Sequence, residues 1–231
     1  KDLPLFLVCA ACIVGLNLCY NESMNTVPLS LAAVLLSLAP IYVLILAYML
    51  FGEKITSKKL ICMVLAIFGC ILMTGVLETS LENIPLFGII SGIGAGLFWA
   101  VYLMSSKKSI ENGKHTYTIL FYSVIFISIA LIPFTNFNQI NNFISINPTL
   151  TALFLIIHST FSFALPYILS TLSLKYIDSG ISSIFMSGAE PFAALIFGLV
   201  IYCETPTLLM FCGFILTIIA MTFLSRKESV N

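Results

Sequence analysis

Apolar residues run through the chain in eight stretches, at about 3–21, 29–51, 58–77, 85–104, 117–135, 150–173, 180–202 and 206–224. A helix needs roughly 20 such residues to cross the hydrocarbon core of a bilayer, so each stretch predicts one membrane-crossing helix. The connections between them are short and polar, among them NESMNTVP, GEKITSKK, SSKKSIENGKH and the Asn-rich TNFNQINNFISINP. Backbone groups at membrane depth must find partners within the chain, which selects helices over open strands. The expected fold class is therefore an all-α membrane protein with eight transmembrane helices.

Composition leads to the same place. The chain is 60% hydrophobic and 9% charged, against about 25% charged residues in a soluble domain. Its formal net charge is zero, and the single-sign patches that nucleic acid requires are absent, so no nucleic-acid partner is expected. All seven cysteines fall within apolar runs or at their ends. Cys9 and Cys12 have metal-like spacing but no second ligand pair nearby, so the cysteines read as small packing residues and neither metal nor cofactor is expected.

Positive charge then orients the helices, because Lys and Arg accumulate on the cytoplasmic side. If the first span runs outward, the inner segments hold Lys1, Lys54, Lys58, Lys59, Lys107, Lys108, Lys114, Lys175, Arg226 and Lys227, which are all ten basic residues. The outer loops keep Glu22, Glu78, Glu82 and Glu204. The expectation is a multi-pass plasma-membrane protein with its basic loops and C-terminus in the cytoplasm.

Sliding the chain by 151 residues lays LAPIYVLILAYMLFGEKIT over AEPFAALIFGLVIYCETPT without a gap. Pro40 falls on Pro191, Ile45 on Ile196, Glu53 on Glu204 and Thr56 on Thr207. Each copy is an apolar helix with an early Pro and a terminal Glu-x-x-Thr. By this register residues 1–78 form a partial repeat of three helices and residues 85–225 a complete repeat of five. An odd-numbered unit lies inverted relative to its copy, a common transporter plan. The spans at 85–104 and 117–135 have no counterparts in the first repeat, so two further helices, roughly 70 residues, are expected ahead of Lys1.

The two Pro-containing segments resemble the fourth-helix motif of the EamA repeat, and GIISGIGAGLFWAVYLMSSK resembles its first helix, with Trp99 at the Trp position. The family belongs to the drug/metabolite transporter superfamily. The resemblance implies a ten-helix fold of two inverted five-helix repeats, working as a secondary transporter around a central cavity. Its substrates range over amino acids, nucleotide derivatives, sugars and drugs. Cys203 stands where Gly52 does, a departure from the pattern in the second repeat.

The candidate site centres on Glu190, a carboxyl inside an apolar run beside Pro191. Intramembrane ionisable residues usually face a cavity or a partner. Ser183, Ser187, Glu190 and Ala194 share one helical face, so Glu190 reads as a substrate-amine or proton site, or else as a carboxyl tied to a neighbouring helix. Pro191 frees the carbonyl of Ser187 and kinks its helix; Pro40 would do the same in span 29–51, as hinges or as static bends. Span 150–173 holds His158 and the stripe Ser159, Ser162, Pro166, Ser170 and Ser173. His158 is either a proton relay or an interfacial residue. Asn17 and Asn21 stand on one face, to bind substrate or join helices. Trp99 and Tyr102 could stack on a planar or cationic substrate, or anchor at the interface. Gly88, Gly92 and Gly96 make a ridge for close helix approach. Glu53 and Glu204 read as structural, loop-side hydrogen-bonding positions.

The leading expectation is a permease for small metabolites or drugs working by alternating access. Its expected partners are the bilayer, a small-molecule substrate and a coupled proton, with a homodimer left open. An inactive fragment or structural subunit is the alternative. An intramembrane enzyme lacks the sequence motifs of known active sites.

Overall fold

The computed structural model describes residues 3–78, 84–201 and 206–225. Lys1, Glu82, Cys203, Glu204, Arg226, Lys227 and the side chain of Ala194 lie outside the described residues. Among the described residues everything regular is helical: α1 (Leu3–Thr26), α2 (Leu29–Leu36), α3 (Ala39–Phe51), α4 (Ser57–Met73), α5 (Leu86–Glu111), α6 (Thr116–Leu131), α7 (Phe137–Ile146), α8 (Pro148–His158), α9 (Leu165–Ser173), α10 (Ser179–Ile201) and α11 (Leu208–Ser225). Five stretches are long and apolar enough to cross a membrane: α1, α2 with α3, α5, α8 through α9, and α11.

The helices follow the hydropathy boundaries in part: α4 and α6 end four residues before the expected 77 and 135, and others are extended or broken by tertiary contacts. The first span was expected to end at residue 21, yet α1 continues through NESMNT, with the Thr26 hydroxyl donating to the Glu22 carbonyl. The fourth continues past 104 to Glu111 because Ser105, Ser106 and Ser109 are buried against neighbours. Span 29–51 is a correction. Rather than a single helix kinked at Pro40, it is two helices broken at Ser37–Leu38, with Pro40 in the first turn of α3. Pro at that position loses no helical bond, since the first N–H groups have no partner anyway. Span 150–173 is also not uniform, because residues Ser159–Ala164 form a π-helical turn between α8 and α9. Pro166 cannot donate to the carbonyl of Ser162, and a π-turn accommodates that missing bond. The Asn-rich connection, expected as a loop, contains α7, started by Asn136, whose side chain accepts from the Gln139 N–H.

The Thr of each Glu-x-x-Thr copy does the same job. Thr56 accepts from the Lys59 N–H to start α4, and Thr207 accepts from the Met210 N–H to start α11. The Thr is a helix N-cap, which accounts for its spacing.

Small residues set the helix spacing. A Cβ on Gly88 would strike Thr26 and Val27, and one on Gly92 would lie 2.7 Å from Leu35 Cδ1. At Gly96 it would lie 3.6 Å from the Leu36 carbonyl and the Ala39 nitrogen, so the ridge lets α5 run against the break between α2 and α3. Gly69 and Gly213 bring α4 and α11 together backbone to backbone. One core joins α1, α3, α5 and α6; a second joins α3, α4, α10 and α11.

Candidate functional site

A cavity of about 690 Å3 lies between α1, the α2–α3 break, α5, the π-turn with α9, and α10. Of the residues singled out from sequence, Asn17, Trp99, Ser162, Pro166, Ser170, Ser183, Ser187 and Glu190 line it. Elements remote in sequence thus converge on the predicted carboxyl. Ser183, Ser187 and Glu190 all reach the cavity from one face of α10, as helical spacing dictates.

Several expected residues sit elsewhere. Tyr102 is fully buried beneath Trp99, with its hydroxyl 2.8 Å from Thr171 Oγ1, so it is a floor residue and has no surface to offer a substrate. Asn21 is exposed one turn beyond Asn17 and is not on the wall. His158 is exposed, stacked on Phe154 at 5.6 Å, and touches the cavity only through Ser162, whose hydroxyl is 3.2 Å from its Nδ1. Pro40 is buried behind Ala39, which does line the cavity.

Other wall residues were missed. Tyr20 and Tyr167 line the cavity; nothing in the sequence separates them from the other tyrosines of apolar runs. Tyr167 stands edge-on to Trp99 at 5.7 Å and to Tyr102 at 5.4 Å, so three rings brace one another at the cavity floor. Ser37 joins the wall because the helix breaks there.

Below this floor, charged groups cluster at the end where α3 and α5 finish and α4 and α10 begin. Glu53 accepts from Lys107 Nζ, from the Ser179 N–H at 3.0 Å, from the Ser179 hydroxyl at 2.8 Å and from the Gly180 N–H at 3.4 Å. Its carboxylate therefore sits at the start of α10, where free N–H groups favour negative charge. Burial raises the Glu53 pKa, but Lys107 and the Ser179 donors outweigh it and hold the carboxyl below its ordinary value. A second pair lies beside it: Lys59 Nζ is 2.7 Å from Asp178 Oδ2 and donates to the Lys54 carbonyl at 3.0 Å. Between cavity and cluster, Ser173 and Ser182 join α9 to α10 at 2.6 Å. Tyr102, Ser179 and Ser182, which stand between the two, are buried, so side chains fill that end.

With α3 finishing and α10 starting at the same charged end, these two helices run in opposite directions. Among the described residues no group of three or more His, Cys, Asp or Glu side chains could hold a metal.

A solved crystal structure matches with a TM-score of 0.78 over 96% of this chain and 76% of its own, at 13% identity, a likeness of fold alone. An uncharacterized transporter of Archaeoglobus fulgidus is 32% identical over 196 residues, 84% of this chain and 66% of that protein. The threonine/homoserine exporter RhtA of Escherichia coli K12 is 29% identical over 224 residues, 93% of this chain and 70% of that protein. The Salmonella typhimurium RhtA is 28% identical over 223 residues, 93% of this chain and 69% of that protein. The chain spans about two thirds of the length of these relatives. The profile of the EamA-like transporter family matches residues 1–75 and 86–226, and with helices built to cross a bilayer around a central cavity, the chain belongs to that family and is a multi-pass membrane transporter.

Proposed function

We propose that this chain moves small metabolites across the plasma membrane by alternating access around the Glu190 cavity. One observation carries the reading: helices from both ends of the chain enclose a cavity with a carboxyl on its wall, filled at one end by side chains above the Glu53 cluster. Residues 1–78 and 85–225 are then a partial and a complete EamA repeat, inverted relative to one another within a ten-helix plan of which eight helices belong to this chain. The opposed directions of α3 and α10 support that layout. In it, α1 corresponds to the stretch from α8 through α9. Packed α1 touches α5 and α6, whereas the α8–α9 stretch buries only Thr151, Ser170 and Thr171 among the described residues. Its exposure follows if its equivalents of α5 and α6 are not among the described helices.

The charged end faces the cytoplasm by the distribution of Lys and Arg. The breaks at Pro40 and Pro166 and the interior Pro191 supply bends at which the halves rock. Glu190 carries the coupled proton. Threonine and homoserine, named for the relatives, are the first substrates to try.

The test is counterflow of labelled L-threonine and L-homoserine, followed by a wider metabolite panel, in proteoliposomes holding the purified chain. Movement above protein-free vesicles is expected; its absence across the panel overturns the reading. Glu190→Gln should abolish the pH dependence of transport. An unchanged pH profile and proton stoichiometry in that variant would remove the proton from the mechanism.

A further inference from the structure

The cavity has a polar character that its residue types alone do not reveal. Ser37 donates its hydroxyl proton to the Val34 carbonyl, Ser170 to Tyr167, Ser183 to Gly180 and Ser187 to Ile184. A hydroxyl has one proton to give and two lone pairs, so each of these serines has only acceptor capacity left for the cavity. The Asn17 amide nitrogen donates to the Ile13 carbonyl at 2.8 Å. Glu190 adds a carboxyl, for which no hydrogen bond or ion pair is found among the described residues. No described wall residue is Lys, Arg or His. The donors that remain are the second Asn17 amide N–H, the Trp99 indole N–H, the phenols of Tyr20 and Tyr167, and the Ser162 hydroxyl where His158 Nδ1 is the donor between them; all are uncharged.

We infer that the cavity selects substrates by a primary ammonium group, held by Glu190 and the acceptor oxygens of Ser37, Ser170, Ser183 and Ser187 against the aromatic residues of the wall, and that a substrate carboxylate is not required. An ammonium is the complement of such a wall, because it carries three donors and no acceptor. Trp99, Tyr20 and Tyr167 suit the same charge, since aromatic faces attract cations. A carboxylate finds no cationic side chain on this wall, and burying one there without a partner is unfavourable. This inference names the substrate class of the site proposed above and rests on that reading of the cavity.

The test is calorimetric binding to the purified full chain in lipid nanodiscs. The probes are L-threonine methyl ester and phenethylamine, which have an ammonium and no carboxylate, and N-acetyl-L-threonine, which has the reverse. The amines are expected to bind at least about tenfold more tightly than the acetylated acid, the loss typical of one charge-assisted hydrogen bond. Glu190→Gln should weaken amine binding by a similar factor, and Glu190→Asp should restore most of it, showing that charge and not folding was lost. Comparable binding of N-acetyl-L-threonine overturns the inference, as does amine binding that Glu190→Gln leaves unchanged, or failure of both amines to bind. Flux measurements separate it from the transport reading. An amine that binds but does not cross vesicles leaves the site standing and removes transport. Transport with no preference for the ammonium does the opposite.

Discussion

Replacing Glu53 by Gln removes a charge that fastens three elements at once. The side chain is 8% exposed and its partner Lys107 is 15% exposed, so neither charge is well screened by water. The same carboxylate accepts from Ser179 and Gly180 in the first turn of α10. Breaking a buried ion pair by removing one partner typically costs about 3–5 kcal/mol. The residual exposure of Lys107 argues for the lower end. A loss of about 3 kcal/mol shifts the equilibrium for local opening of this junction by about two orders of magnitude. The neighbouring Lys59–Asp178 pair is the internal control. Asp178 is 53% exposed while Lys59 is 6% exposed and also donates to the Lys54 carbonyl; Asn keeps an acceptor oxygen for Lys59, so Asp178→Asn should cost less, about 1 kcal/mol. Hydrogen–deuterium exchange reads the difference directly, because the Ser179 and Gly180 amides are themselves donors to Glu53. In Glu53→Gln, peptides covering 177–184 should exchange up to about a hundredfold faster, and in Asp178→Asn no more than about fivefold faster. Equal acceleration in the two variants, or none in Glu53→Gln, would refute the view that Glu53 is what holds this junction together.

Three further outcomes follow from the same geometry. The Glu53 pKa is lowered in the fold, so its contribution to stability is fully present above the ordinary carboxylate range. That contribution is lost as pH falls through the lowered value; protection of the 177–184 amides, taken relative to their intrinsic exchange rate at each pH, should therefore be flat from neutral to mildly acidic pH and fall only in stronger acid. Gly213→Ala places a Cβ 2.6 Å from the Gly69 carbonyl oxygen and 2.8 Å from the Met73 nitrogen, both backbone. The α4–α11 pair must then separate, costing about 1–3 kcal/mol, and thermal unfolding in detergent should start several degrees lower. Tyr102→Phe deletes the bond to Thr171 in the floor; about 1 kcal/mol of stability should go, with amine affinity unchanged, whereas Trp99→Ala should weaken amine binding. Equal effects of the two on binding would put Tyr102 back on the wall.

The hydropathy pattern by itself determined that the chain crosses a membrane as helices, and it located most of them to within a few residues. The physical reason is that a bilayer leaves backbone polar groups no other partner. The pattern also marked Glu190 as a candidate, because an ionisable group within an apolar run must face something other than lipid, and Glu190 does line the cavity. Helical spacing put Ser183 and Ser187 on its face. Both kinds of inference need only the chain's own periodicity.

What only the tertiary structure decided depends on contacts between residues far apart in sequence. The break at Ser37–Leu38 exists where Gly96 of α5 admits a close backbone, so Pro40 became a helix start and Ser37 a wall residue. The π-turn moved Ser162 onto the wall while leaving His158 outside it. Tyr102 and Trp99 are three residues apart on one helix, yet α9 covers the first and the cavity exposes the second. Glu53, read from sequence as a structural, loop-side hydrogen-bonding residue, is one, but its partners Lys107 and Ser179 come from α5 and α10, 54 and 126 residues away. Local sequence sets which groups a helix presents; which of them meet substrate, lipid or each other is set by the helices packed alongside.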